Sequence, residues 1–267
     1  MKPILLLTLL FSTGAVSASA QDTLYYNSLW KETTAGKAAY FRLKTKTATG
    51  WQVSDHWLSG KTQMTGAYSD DSFHIKEGEF VFYDTTGVAN HRVTYVHNKL
   101  NGPDTYYYPN GKTRLTGPDK DDSSEGNWVG YYPSGKISGK ALFKKGQQVF
   151  ATFYHEDGSP DKTIKVFMRE AEFPGGVNQW LRFLNKNLRY PDSAVVYEIQ
   201  GTVVVDFVVS KEGKAGNFRV SQSADKYLDA EALRVMNQMP EWIPSIFGGI
   251  AAESFKRQPI VFSLQAQ

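Results

Sequence analysis

The chain has 267 residues, 41% of them hydrophobic and 21% charged, with a net charge of +3 and no cysteine. That balance is globular and leaves room for about two domains. It excludes a disordered chain, a basic nucleic-acid-binding arm, disulfides, thiol nucleophiles and zinc–thiolate sites.

At the start, Lys2 precedes an apolar run from Ile4 to Phe11, and small residues ending in Ala18-Ser19-Ala20 precede Gln21. This is the layout of a cleavable secretory signal peptide over 1–20. The apolar run falls short of the roughly 20 residues that span a bilayer. Export without cysteine suits a bacterial periplasm. Residues 21–49 read as an N-terminal β segment.

From 50 to 160 the chain repeats itself. "GPDTYYYPNGKTRLTG" (102–117) is nearly rewritten as "GNWVGYYPSGKISGK" (126–140), and closing glycines fall at 87, 111, 135 and 158. A fainter copy, "GWQVSDHWLSGKTQMTG", spans 50–66. Aromatics such as Tyr106 to Tyr108 suit a half-buried pleated surface, and Pro109-Asn110-Gly111 presets a turn. Each unit is therefore a predicted β-hairpin, and hairpins that cannot bury an apolar face alone should stack into an extended sheet. The units resemble the MORN-like repeats of bacterial antitoxin-type proteins, with Trp128, Tyr131, Tyr132 and Gly135 matching best. The resemblance implies a scaffold or a binding surface for an unknown ligand, without chemistry of its own.

After Pro160 the glycine rhythm stops. Residues 161–172 read as a polar linker between independently folding units. Val177, Trp180, Leu181, Leu184 and Leu188 then form an apolar helical stripe that Pro191 should stop. In "IQGTVVVDFVVS", Ile199, Val203, Val205 and Phe207 alternate with Gln200, Thr202, Val204 and Asp206, predicting a strand with one apolar and one mixed face. Lys211 to Lys214 is a hairpin turn, and a second strand is expected near Asn217 to Gln222. Leu228, Ala232, Val235, Met236 and Met239 mark a second helix, with Asp229 read as its N-cap. A last strand is expected over Phe255 to Leu264, at a sheet edge because Pro259 cannot donate to a ladder. Trp242 reads as a core plug.

The ordered set Tyr190-Pro191-x-x-Ala194; Gly201, Val203, Val205, Phe207; Gly213; Leu228-Asp229-x-Glu231-Ala232; and Pro240-x-Trp242-x-Pro244 resembles the TonB C-terminal domain over about 173–265. The resemblance implies an α+β fold, a small antiparallel sheet with two helices on one face, behind an all-β repeat region. It further implies a periplasmic partner of outer-membrane TonB-dependent receptors, with inner-membrane motor proteins behind it. The implied mode is strand addition, with receptor peptide pairing to Ser254, Phe255, Lys256, Arg257 and Gln258 and flanking contacts at Asn187, Leu188, Arg189, Tyr190 and Pro191. Unlike a full TonB, the sequence has no Pro-rich spacer, its 11 prolines being scattered. The alternative is a non-transducing envelope scaffold with a TonB-like docking module.

No enzyme chemistry is expected, and no cofactor. All five histidines lie between His56 and His155, and none is spaced with carboxylates as a metal set requires. "GKT" at 60 and 111 lacks the rest of a phosphate loop. "DKDDSSEG" (119–126) lacks the glycine and closing glutamate of a calcium loop.

Overall fold

The structure, a computed structural model, describes residues 22–28 and 30–264. The expected signal peptide and its cleavage site lie outside the described residues. Among the described residues no helix is long and apolar enough to cross a membrane.

The repeats form one continuous antiparallel sheet. Its strands in chain order are β1 (Asp22–Tyr26), β2 (Glu32–Thr33), β3 (Tyr40–Thr47), β4 (Gly50–Trp57), β5 (Thr62–Tyr68), β6 (Gly78–Tyr83) and β7 (Ala89–Val96). They continue through β8 (Lys99–Tyr107), β9 (Thr113–Lys120), β10 (Ser123–Ser124), β11 (Gly126–Tyr131), β12 (Ile137–Lys144), β13 (Gln147–Tyr154) and β14 (Pro160–Asp161). From β3 to β14 each long strand pairs with its neighbour in the chain, and the short β10 folds back on β9.

Both ends of the hairpins obey the period. At one end Gly87, Gly111, Gly135 and Gly158 take φ of 76–95°, and each N–H donates to the carbonyl three residues earlier at 2.8–2.9 Å. At the other end His97-Asn98, Asp121-Asp122 and Lys145-Gly146 all have positive φ, the backbone of a type I′ turn. The acidic stretch 119–126 is therefore a turn in phase with two others. Asn98, Asp122 and Gly146 each donate a backbone bond to the unit before, at Lys76, Leu100 and Ser124.

A second glycine of the repeat has a packing role. A Cβ on Gly66 would lie 2.3 Å from the Phe80 ring, and one on Gly117 would lie 2.3 Å from the Trp128 ring. Each aromatic thus lies flat on the strand beside it, and Phe80 and Trp128 are both fully buried. Trp128 also donates Nε1–H to the Pro118 carbonyl at 3.1 Å.

The expected linker at 161–172 is tied to both units. Phe167 is fully buried with Leu115, Trp128, Phe143 and Phe153, and its N–H donates to Gln148 Oε1. Met168–Arg169 is strand β15, and beyond it the chain carries helices α1 (Gly176–Asn187) and α2 (Asp192–Val196), strands β16 (Gly201–Val209) and β17 (Ala215–Gln222), and helix α3 (Lys226–Met236). Strands β18 (Ser245–Phe247), β19 (Ile250–Ala252) and β20 (Ser254–Phe262) end the fold. The second sheet has the order β17-β16-β20, and a third sheet the order β15-β18-β19.

The apolar face of β16 is as the alternation predicts, with Val203, Val205, Phe207 and Val209 buried beside Leu228, Ala232, Val235 and Met236 of α3. Three expectations are corrected. There are three helices, not two; α1 ends at Asn187, and Pro191 opens α2 instead of stopping α1. Val177 and Leu181 are exposed, while Trp180, Phe183 and Leu184 face the core, because ring contacts with Phe173 rotate the helix toward its aromatics. The N-cap of α3 is Asp225, which accepts from Tyr227 N–H at 2.8 Å, whereas Asp229 accepts from Ser223 and Ala224 in the preceding loop.

The β18–β19 hairpin is the joint between the units. Its Gly248-Gly249 turn lies against β11 and β12: Ser138 Oγ donates to the Gly248 carbonyl at 2.7 Å, and Gly249 N–H donates to the Phe167 carbonyl at 2.9 Å. Phe247 continues an aromatic row across the repeat sheet, with Tyr106, His91 and Phe82 as successive neighbours.

Candidate functional site

Strand β20 is an edge. It pairs in nine residue pairs with β16, from Gly201↔Phe262 to Val209↔Ser254, and among the described residues no strand borders its other side. From the first to the last of these residues, eight steps of about 3.4 Å give an edge of roughly 27 Å. Pro259 sits in the ladder opposite Val204.

The open face of this sheet has a charged centre. Asp206 is buried on it, and Arg257 reaches the carboxylate with Nε at 2.7 Å and Nη2 at 3.2 Å. Arg219 Nη2 adds a bond at 3.0 Å and Ser221 Oγ one at 2.9 Å. Burial opposes the charge of Asp206, but the bonds from Arg257 and Ser221 outweigh it and hold the pKa below the usual carboxylate range. One carboxylate between two guanidinium groups leaves this face with an excess of positive charge.

The two sets of expected contact residues lie at different ends of β20. Ser254 to Gln258 form its first half. Asn187 to Pro191 lie toward the other end, where the Tyr190 ring meets Phe262 edge-on at 5.8 Å. Tyr190 also donates its hydroxyl to the Ile199 carbonyl at 2.6 Å. Glu231 pins this segment: it accepts from Arg189 N–H and from Arg234, whose Nη2 also reaches the Asn187 carbonyl. Burial works against the Glu231 carboxylate, and the Arg234 and Arg189 bonds more than offset it, so its pKa is lowered. Leu188 packs on the core, and Pro191 is the N-cap of α2.

Trp242 is buried as expected, against Phe173 and Phe207. Its loop is clamped to the β16–β17 turn: Trp242 N–H donates to the Gly213 carbonyl at 2.7 Å, and a Cβ on Gly213 would lie 2.2 Å from the Trp242 carbonyl oxygen. That contact explains why glycine is required at 213, where φ is 91°.

In the repeat sheet, His91 Nε2 lies 2.7 Å from buried Asp104. Asp119, also buried, faces Asp104, and burial with that neighbouring charge pushes its pKa up to about 7. A raised carboxyl makes the native state bind the proton more tightly than the unfolded chain, so its contribution to stability falls as pH rises from about 4 to 7. Asp119→Asn should remove that part of the slope. We expect the variant to gain stability over wild type as pH rises from about 4 to 7 in urea unfolding; parallel pH profiles for the two proteins would contradict the raised Asp119 carboxyl. Among the described residues no group of three or more His, Asp or Glu side chains is arranged to hold a metal ion.

Two stretches of the chain match known family models. Residues 186–264 match the family model described as the Gram-negative bacterial TonB protein C-terminal. That stretch is similar to a TonB C-terminal domain. Residues 124–145 match the MORN repeat variant, the unit that holds Trp128, Tyr131, Tyr132 and Gly135. No curated protein matches the chain. The matched stretch begins at the last turn of α1 and includes both β20 and the β18–β19 hairpin.

Sequence reading did not single out Asp206 beyond its mixed face, or Glu231 beyond its motif. The signal for Asp206 was present: an acid inside "VVVDFVV" must find cationic partners if the strand is central.

Proposed function

We propose that the free edge of β20 receives an extended peptide of an outer-membrane TonB-dependent receptor by strand addition, and that the protein works in the periplasm in energy transduction for import. The observation that carries this reading is the unpaired nine-residue edge within a stretch similar to a TonB C-terminal domain. An edge strand offers its N–H and C=O outward only at every second residue. Pro259, lacking an N–H, fits where the donor points away from β16. By alternation Phe255 and Arg257 then offer the outward groups, whereas Ser254, Lys256 and Gln258 bond to β16. The expected five-residue contact narrows to two backbone positions.

Arg257→Pro removes an outward donor at a position of the same parity as Pro259. Arg257→Ala loses the same side chain and its bonds to Asp206 but keeps the N–H. The expected result is that receptor amino-terminal peptides bind the Ala variant a few-fold more weakly and the Pro variant not at all, read as resonance shifts in NMR titration. Equal binding by a folded Pro variant, or shifts confined to the repeats, would defeat the reading.

A second reading, a scaffold without energy input, is favoured by one observation: the repeat sheet is pinned to the domain by the β18–β19 hairpin and so serves poorly as a spacer. Sedimentation with the inner membrane supports transduction, and release by osmotic shock supports the scaffold.

A further inference from the structure

A cleft of about 320 Å³ lies between the repeat sheet and the start of β20, with Tyr106, Tyr107 and Arg114 on one wall and Phe247, Ser254 and Phe255 on the other. It opens at one end of the free edge. Arg114 and Ser254, on facing walls, each also carry a buried atom, Nε and Oγ, without a hydrogen-bond partner among the described residues. Arg114 has no carboxylate within ion-pair distance among the described residues; its guanidinium lies over the Phe247 ring at 4.5 Å and the Tyr108 ring at 5.6 Å. Of the acids lining the cleft, Glu170 is taken by Lys256 at 3.0 Å, and Glu253 is exposed. Buried polar groups are nearly always paired, and an arginine without a counter-ion on the wall of a cleft is a place for an anionic group. A desolvated guanidinium most favours a carboxylate, which it can grip with two parallel bonds.

We propose that this cleft is the end pocket of the β20 site, where Arg114 takes the carboxylate of an acidic residue, or the terminal carboxylate, of the added strand as it passes Ser254. The inference rests on the strand-addition reading and adds to it: the repeats contribute a residue to the site, and the peptide's register is fixed by charge at one end. Backbone pairing alone leaves an added strand free to slip by two residues. An anchor at the Ser254 end removes that freedom.

The test uses the full chain and a set of nine-residue capped peptides of alternating Val and Thr, each carrying one Glu at a successive position, with a matching Gln set. Binding is read by fluorescence anisotropy. The expected result is a Glu preference of about tenfold, the size of a buried charge-assisted hydrogen bond, at the peptide position next to Ser254. It should vanish in Arg114→Gln while the uncharged host peptide binds as before. If Arg114→Gln weakens host and Glu peptides equally, Arg114 only braces the Phe247 hairpin and the proposal fails. A Glu preference that survives in Arg114→Gln assigns the charge contact to Arg257 or another cation and overturns it. Absence of any Glu preference means that water alone satisfies the cleft, and the edge reading stands without it. If no peptide of the set or of a receptor binds, the edge reading itself falls and the end pocket with it.

Discussion

Trp128→Ala is expected to destabilise the repeat sheet by about 3–5 kcal/mol, the range for deleting a fully buried aromatic. Trp128 is 1% exposed, and the strand residue beneath its ring is Gly117, with no side chain that can move into the space left behind. A cavity floored by backbone relaxes little, which places the loss at the upper end. The deleted ring also takes away a neighbour of Phe143 and so loosens the cluster that buries Phe167, the residue joining the repeats to the second unit. The loss should appear as a lower urea midpoint together with faster proteolysis between 161 and 172. A loss under about 1 kcal/mol would show that the glycine seat does not carry the packing assigned to it.

Gly130→Val is expected to detach the β18–β19 hairpin from the repeats. Gly130 does not need positive φ, so valine suits its strand. Its Cβ, however, would lie 2.4 Å from the Gly248 Cα and 2.9 Å from the Gly248 carbonyl oxygen, both backbone atoms that cannot rotate away. Overpacking of this kind costs about 1–3 kcal/mol. The hairpin can escape that cost by leaving the surface, since the sheet of β16, β17 and β20 is held by other contacts. Amide exchange should therefore accelerate at 245–252 while protection of β16 and α3 stays as in wild type. Unchanged protection at 245–252 would mean that the hairpin is ordered by β15 alone.

The period of the repeat was legible because glycine turns recur at fixed spacing and nothing but a turn explains them. The opposite ends were less legible: His97-Asn98 and Asp121-Asp122 carry positive φ without glycine, and the second of them, which lacks the glycine and closing glutamate of a calcium loop, shows its place among the turns only in the structure. In the second unit the pattern at Val203 to Val209 led directly to the buried face, because a two-residue period has one solution. The α1 stripe misled at Val177 and Leu181, since periodicity alone cannot choose between an aliphatic row and an adjacent aromatic one once Phe173 supplies ring partners. The hairpin at 245–252 was invisible for a different reason. "SIFGGIAA" is a short apolar run whose role is fixed by a surface more than a hundred residues earlier in the chain, and no local pattern encodes that. The free edge was legible through Pro259, whereas the cleft at its end depends on Arg114, an ordinary-looking residue of the repeat.

The register of β16 and β20 has a mechanical consequence. Hydrogen bonds in an antiparallel ladder lie across the strands, so a tug along β20 loads all the rungs from Gly201↔Phe262 to Val209↔Ser254 together, in shear. A tug across the sheet would open them one after another, like a zipper. A strand laid along the free edge and drawn lengthwise transmits tension in the first of these ways, and the neighbouring rungs share the load instead of failing in turn.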